Sequence, residues 1–251
     1  LQKKPNPKAI VVVDLFGLPA DHEAIGKIAF HHNLAVIEDA AQSFGAEYKG
    51  QKAGALAEIG CTSFFPAKPL GCYGDGGMCF TDDDHLQNVM ESIRIHGKGT
   101  DKYDNVRIGM NGRMDTLQAA ILQAKFEVFP EEVELRQQVA DRYNDLLQGS
   151  GVQTPAVPEG YRSVWAQYSL LARDAAHRSE LQNKLKGKGI PTAIYYPKPL
   201  HLQTAFRHLC YLPGDFPIAE DYANRVFSIP MHPYLAAGDQ EKIAVAIRGA
   251  D

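Results

Sequence analysis

Ile10-Val11-Val12-Val13-Asp14 is a short apolar, β-branched run that ends on an acid, and Leu34-Ala35-Val36-Ile37-Glu38-Asp39 repeats the pattern. Between them, Asp21 to His32 sets Ile25, Ile28 and Ala29 at helical spacing, with Pro19 and Asp21 at the entry. Strand, helix and strand without polar alternation predict a βαβ unit in a parallel sheet covered on both faces. Gly60 to Phe65 and Met78 to Thr81 read as further strands, separated by a Gly/Pro-rich loop, and Tyr48 to Lys52 as a turn. Asp83 to Ile95 is a helix with Thr81 or Asp82 as its cap. Asp115 to Phe129 is a second helix, carrying Leu117, Ala120, Ile121 and Ala124, which Pro130 should end or kink. Glu131 to Leu147 continues helically and stops at Gly149-Ser150-Gly151. Strands at Trp165–Leu171 and Thr192–Tyr196 and helices at Ser179–Lys188, Asp221–Val226 and Asp239–Ile247 follow. The fold class is α/β: a mostly parallel-sheet large domain over residues 1–129, then a smaller C-terminal α+β domain over 130–251.

Composition removes several functions. The 251 residues carry 26 Lys and Arg against 30 Asp and Glu, a net charge of −4, with no long basic run to attract nucleic acid. At 45% hydrophobic and 22% charged residues the chain has a globular balance. Its most apolar early stretch, Ala9 to Val13, is far short of the roughly 20 residues of a membrane span. The expected location is the cytoplasm. Cys61, Cys72, Cys79 and Cys210 show no C-x-x-C pair and read as reduced core thiols. No Cys/His spacing suits a metal, and His31-His32 reads as surface. The chain lacks an initiator Met, and Lys3-Lys4-Pro5-Asn6-Pro7-Lys8 runs directly into a buried-type strand. The expectation is that an N-terminal portion is missing.

Parallel α/β sheets bind ligands at the carboxyl ends of their strands. Asp39 ends one strand, and Lys68 lies on the loop after another. Taken singly, Asp39 reads as a helix N-cap and Lys68 as a solvated loop cation. Gly71-Cys72-Tyr73-Gly74-Asp75-Gly76-Gly77 reads as turn chemistry; a strand follows it, so it is neither a Walker loop nor a dinucleotide fingerprint.

The ordered set is more specific. Glu38-Asp39-Ala40-Ala41-Gln42-Ser43 precedes Ser63-Phe64-Phe65-Pro66-Ala67-Lys68-Pro69-Leu70-Gly71, then Gly74-Asp75-Gly76-Gly77, then Asn111-Gly112-Arg113-Met114-Asp115. This order resembles the pyridoxal-phosphate-dependent sugar aminotransferases of the DegT/DnrJ/EryC1/StrS family. The likeness runs from Val11 to Pro233, nearly the whole chain. Ser63 to Gly77 and Tyr196-Pro197-Lys198-Pro199-Leu200 are most similar to the branch that aminates UDP-2-acetamido-2-deoxy-3-keto-glucuronate for bacterial O-antigen sugars.

The resemblance implies a fold-type-I pyridoxal-phosphate transferase, active as a homodimer with shared sites, using glutamate and a UDP-linked sugar. It implies Lys68 as the Schiff-base amine and proton carrier, and Asp39 as the carboxylate that keeps the pyridine nitrogen protonated. Gln42 would lie near the ring, and Ser63 and Asn111 at the phosphate, Asn111 reaching in from the partner subunit. Arg113, Tyr195 and Tyr196 would face the sugar. Phe44 stands where many relatives have His. Alternatives are a 4-keto-hexose aminotransferase and a non-catalytic nucleotide-sugar-binding relative. A sugar dehydratase of the same fold carries His in place of the Lys, and Lys68 argues against it.

Overall fold

The computed structural model describes residues 7–101 and 103–249; Lys3 to Asn6 of the basic leader lie outside the described residues. In chain order the first elements are β1 (Ala9–Val13), α1 (His22–His31), β2 (Ala35–Asp39), β3 (Glu47–Tyr48), β4 (Gln51–Lys52), β5 (Ile59–Ser63), β6 (Gly77–Phe80) and α2 (Asp84–Arg94). They are followed by α3 (Thr116–Leu146), β7 (Tyr161–Arg162), β8 (Tyr168–Leu171), α4 (Ala175–Gly187), α5 (Pro217–Arg225), β9 (Val226–Ile229) and α6 (Ala237–Arg248). Two compact units result: one runs through Val133 and takes in Val157–Ala166, the other holds Glu134–Ala156 and everything from Gln167 on. A division at 129/130 differs from this by a few residues and by the return of Val157–Ala166 to the first unit.

The first unit is built on a four-stranded sheet in the order β1-β2-β5-β6. β1, β2 and β5 are parallel, and β6 turns back antiparallel along β5. The mostly parallel expectation therefore holds. Register aligns Val13, Asp39, Cys61 and Cys79 across the four strands. Aligned residues point to one face, and their chain neighbours to the other. On the second face Val12, Val36, Leu34 and Ala29 of α1 form a buried cluster. A larger core gathers Ala40, Phe64, Leu70, Cys72, Leu122, Phe129, Val133 and Val164.

Several local expectations are corrected. The sheet is covered on one face only among the described residues: Val11 and Val13 are 62% and 47% exposed, because α1 and the β2–β5 connection both pack on the Val12 side. Asp83 caps α2, its Oδ1 accepting from Leu86 N at 2.9 Å, while Thr81 Oγ1 accepts from Asp83 N. Pro130 does not end α3, which runs on to Leu146, with Phe129 and Val133 on either side of the proline held in the core. Of the four thiols only Cys72 is buried; Cys61 is half-buried and Cys79 and Cys210 are exposed. Cys79 lies on the uncovered face, in the outermost strand of the described sheet.

In the second unit β8 pairs antiparallel with β9, and Tyr143, Tyr168, Leu170, Leu185, Phe227 and Ala246 are among its buried residues. Tyr143 Oη donates to Pro230 O at 2.9 Å. The strand expected at Thr192–Tyr196 is reduced to one bridge, Ala193 to Ser228, because Pro191 and Pro197 lack N–H donors at either end. No described helix is long and apolar enough to cross a membrane.

Two glycines give opposite tests. A Cβ on Gly60 would lie 2.0 Å from the Gly54 carbonyl oxygen, whereas one on Gly26, inside α1, would meet nothing within 4 Å. Gly60→Ala should lower unfolding free energy by about 1–3 kcal/mol through overpacking. Gly26→Ala should raise it by about 0.5–1 kcal/mol through chain entropy. Urea titration of both variants checks the signs.

Candidate active site

Strand alternation sends Glu38 and Asp39 to opposite faces. Glu38 is fully buried, and its two oxygens accept from Gly54 N at 2.6 Å and Leu56 N at 2.9 Å. Asp14, also fully buried, lies on the same side. Its Oδ1 accepts from Ala20 N and bonds His22 Nε2, both at 2.9 Å, and Ser43 Oγ donates to Oδ2 at 3.1 Å. Burial raises the Glu38 carboxyl above its usual range; the two backbone N–H groups oppose this and the charge of Asp14 adds to it. Ligand-type atoms of Asp14, His22 and Glu38 lie within 4.8 Å of one another, although their sequence spacing suggested no such cluster.

Asp39 faces the exposed side. Its Oδ1 accepts from Ala41 N at 3.0 Å, closing a turn, since residues 41–45 form turns and no helix for it to cap. Gln42 is buried in those turns, and its Oε1 accepts from Phe16 N at 2.6 Å. That bond holds the segment after β1, where Phe16 has a positive φ of 63°, against the segment after β2. Phe44 lies in the core, stacked with Phe80 and Phe129.

Ser63 is the last residue of β5, two residues beyond Cys61 and so on the face of Asp39. Its Oγ accepts from Phe65 N at 3.3 Å. Lys68 follows in a tight turn, its N–H donating to Phe65 O at 2.9 Å. The base of this loop is pinned where Phe64 N donates to Gly76 O and Cys72 N to Phe64 O, both at 2.8 Å. Lys125 Nζ also donates to Gly71 O. Gly71 is required, because a Cβ there would meet the carbonyl oxygens of Phe65 and Pro66 at 2.7 Å. Lys68 is half-buried, and burial pulls its ammonium below the usual lysine range, against the raising influence of Asp39. Asp39 and Lys68 are thus brought into electrostatic range.

Asn111 and Arg113 are together elsewhere in this unit, on an exposed loop. Arg113 Nε donates to Asn111 Oδ1 at 3.1 Å, and Asn111 bridges to Ile95 at the end of α2. Neither hydrogen-bonds Asp39, Ser63 or Lys68. Tyr195 and Tyr196 belong to the second unit, their ring centroids 5.7 Å apart.

The exposed strand ends therefore carry a carboxylate, an amine of lowered basicity and a hydroxyl. That donor set suits a cationic ring nitrogen, an aldehyde and a phosphate, so pyridoxal 5'-phosphate fits the residues present. Compared with known families, residues 3–248 match the DegT/DnrJ/EryC1/StrS aminotransferase family. The chain is 46% identical over 243 residues to a UDP-2-acetamido-2-deoxy-3-oxo-D-glucuronate aminotransferase of Pseudomonas aeruginosa, covering 97% of this chain and 66% of that one. It is 45% identical to a pleiotropic regulatory protein of Geobacillus stearothermophilus, covering 96% and 64%. The crystal structure of a DegT DnrJ EryC1 StrS aminotransferase from Brucella abortus superposes with a TM-score of 0.92 at 50% identity, covering 97% of this chain and 64% of that one. The chain thus spans about two thirds of the length of the relatives it matches.

The lowered Lys68 has a direct readout. Glu23 and Asp239 raise the ammonium groups of Lys27 and Lys242. In competitive labelling with an amine-selective reagent over graded pH, the Lys68 profile should turn on at lower pH than those two. An equal or higher midpoint for Lys68 contradicts the effect of burial.

Proposed function

The chain belongs to the DegT/DnrJ/EryC1/StrS aminotransferase family; on that footing we propose that it moves an amino group from glutamate to a keto carbon of a nucleotide-linked sugar, with pyridoxal 5'-phosphate as cofactor. The reading rests on Lys68 and Asp39 sharing one strand-end face, the lysine held at lowered basicity beside the carboxylate. The 46% likeness to the Pseudomonas protein favours a UDP-linked 3-keto-hexuronate, and hence bacterial O-antigen synthesis in the cytoplasm.

When bound, the cofactor supplies an electron-withdrawing ring that stabilises negative charge on the carbon bearing the amino group. Lys68 would supply the amine that holds its aldehyde, and would carry the proton between the two carbons that flank the nitrogen. Asp39 keeps the ring nitrogen protonated by placing a negative charge beside it. Gln42, fixed by Phe16 N, lines the ring, and Ser63 Oγ takes the phosphate. Asn111 reaches the phosphate from a second subunit, while Arg113, Tyr195 and Tyr196 hold the acidic sugar. The homodimer is supported by the exposed apolar side chains beside Asn111: Ile108 is 98% exposed and Met110 62%. The 45% likeness to a regulatory protein supports a second reading, a nucleotide-sugar binder without turnover.

Borohydride added to the protein loaded with pyridoxal phosphate should fix the cofactor to Lys68. Label on another lysine overturns the assignment, and no label supports the second reading. Asp39→Ala should keep the label and lower turnover by about 10²- to 10³-fold.

Shared sites are tested by mixing Lys68→Ala with Asn111→Ala under subunit exchange, with pyridoxal phosphate limiting. Random pairing makes about half the dimers mixed, each with one intact site, so about a quarter of all sites should recover. Activity that stays at the sum of the separate variants refutes the shared-site dimer and leaves Lys68 in place.

A further inference from the structure

Two thiols on the exposed sheet face take no part in the reading above, and their chemistry does not rest on it. Cys61 of β5 and Cys79 of β6 are directly opposite in the antiparallel pair, with Sγ atoms 3.7 Å apart. Both are free thiols.

The ladder explains why they meet. Phe64 N donates to Gly76 O at 2.8 Å, and these residues are one step beyond the Ser63–Gly77 pair. They are therefore a hydrogen-bonded pair. Hydrogen-bonded and non-hydrogen-bonded pairs alternate along an antiparallel ladder, so Cys61 and Cys79, three steps back, occupy a non-hydrogen-bonded pair. The Cys61 carbonyl agrees: it turns the other way and accepts from Ala40 N, just beyond β2, at 2.7 Å. At such pairs Cα atoms are about 4.5 Å apart and side chains are at their closest. That separation falls within the range of about 4.4–6.8 Å that disulfides span. The sulfurs, 3.7 Å apart, have only a short way to close to a bonding distance of about 2.05 Å.

We propose that Cys61 and Cys79 form a reversible cross-strand disulfide, a redox modification site on the sheet face that carries Asp39 and Ser63. The oxidant class is a low-molecular-weight disulfide such as oxidised glutathione. Cys79 is exposed and meets it first. Its thiolate attacks one sulfur of the oxidant, breaks that S–S bond, expels one thiolate and leaves a mixed disulfide on Cys79. Cys61 then gives its proton to solvent, attacks Cys79 Sγ and expels the second thiolate. The protein loses two hydrogens, and the oxidant leaves as two thiols. Burial pushes the Cys61 thiol up to about 11, with Cys79, Asp39 and Glu38 adding to it, so the closing step is slow near neutrality and quickens with pH. Cys72 stays out of the exchange, since it is buried and its Sγ donates to the carbonyl oxygens of Phe64 and Gly74 at 3.0 Å.

The test uses the full chain carrying Cys210→Ser, which removes the other exposed thiol. Oxidised glutathione is added at about pH 7, 8 and 9, and the protein is denatured, alkylated and cut with chymotrypsin. Cleavage after Phe64, Tyr73 and Phe80 puts Cys61, Cys72 and Cys79 on separate peptides. The expected result is a Cys61–Cys79 linked pair, an intact mass lower by about 2 Da, Cys72 alkylated, and reversal by dithiothreitol. Closing should quicken about tenfold per pH unit. In Cys61→Ser the reaction should stop at the mixed disulfide on Cys79. A mixed disulfide that persists on Cys79 at about pH 9 with Cys61 present, or a link to Cys72, overturns the proposal. Either failure leaves the borohydride result on Lys68 untouched, and an unlabelled Lys68 leaves the disulfide standing.

Discussion

The wholly buried carboxylate of Glu38 accepts the backbone N–H groups of Gly54 and Leu56, and by doing so ties the long connection between β2 and β5 to the underside of the sheet. Each of those N–H groups would cost about 1–3 kcal/mol if left buried and unpaired, so the connection has one strongly preferred path. Asp14, anchored by Ala20 N, His22 and Ser43, fixes the end of β1 on the same side. With Glu38 committed below, strand alternation leaves Asp39 no choice but the upper face. Two adjacent carboxylates thus take opposite parts. One is buried, drawn toward its neutral form, and builds the floor. The other stays on the exposed face with one oxygen occupied by Ala41 N.

Lys68 answers a different requirement. The proposed aldehyde-binding role requires Lys68 to shed a proton near neutrality, and a carboxylate beside it works against that loss. Here partial burial outweighs the attraction of Asp39. The loop contributes geometry as well. Its base is held by the Phe64–Gly76 and Cys72–Phe64 bonds and by Lys125, while the lysine rides on the turn above. A side chain on a firm base can change partners without moving the chain that carries it.

Much of this was legible in the residues themselves. The β-branched runs and the helical spacing between them located β1, α1 and β2 closely, because burial of one face imposes both periods. Lys68 and Asp39 stood out through their order along the chain rather than through any local signal. What escaped was whatever depends on distant partners. The Asp14–His22–Glu38 cluster joins residues with no diagnostic spacing. The strand read at Thr192–Tyr196 shrank because pairing needs donors on both sides, which flanking prolines cannot give. The cysteines looked buried because apolar neighbours surround them in sequence, whereas Cys61 and Cys79 lie on the sheet face left uncovered among the described residues. Pro130 does not end its helix, because core contacts on either side override its local preference for stopping there.

The close approach of β5 to the Gly54 turn has a consequence for how this sequence can drift. A side chain at position 60 would collide with the Gly54 carbonyl, and Gly54 itself holds a positive φ of 98° while donating to Glu38. Positions 38, 54 and 60 therefore act as one inherited unit. Changing any of them alone disturbs the other two, and a viable replacement needs at least two coordinated steps through a less fit intermediate. Drift should be slow and correlated at these three sites. A pattern of joint substitution there would carry information about backbone spacing rather than about chemistry.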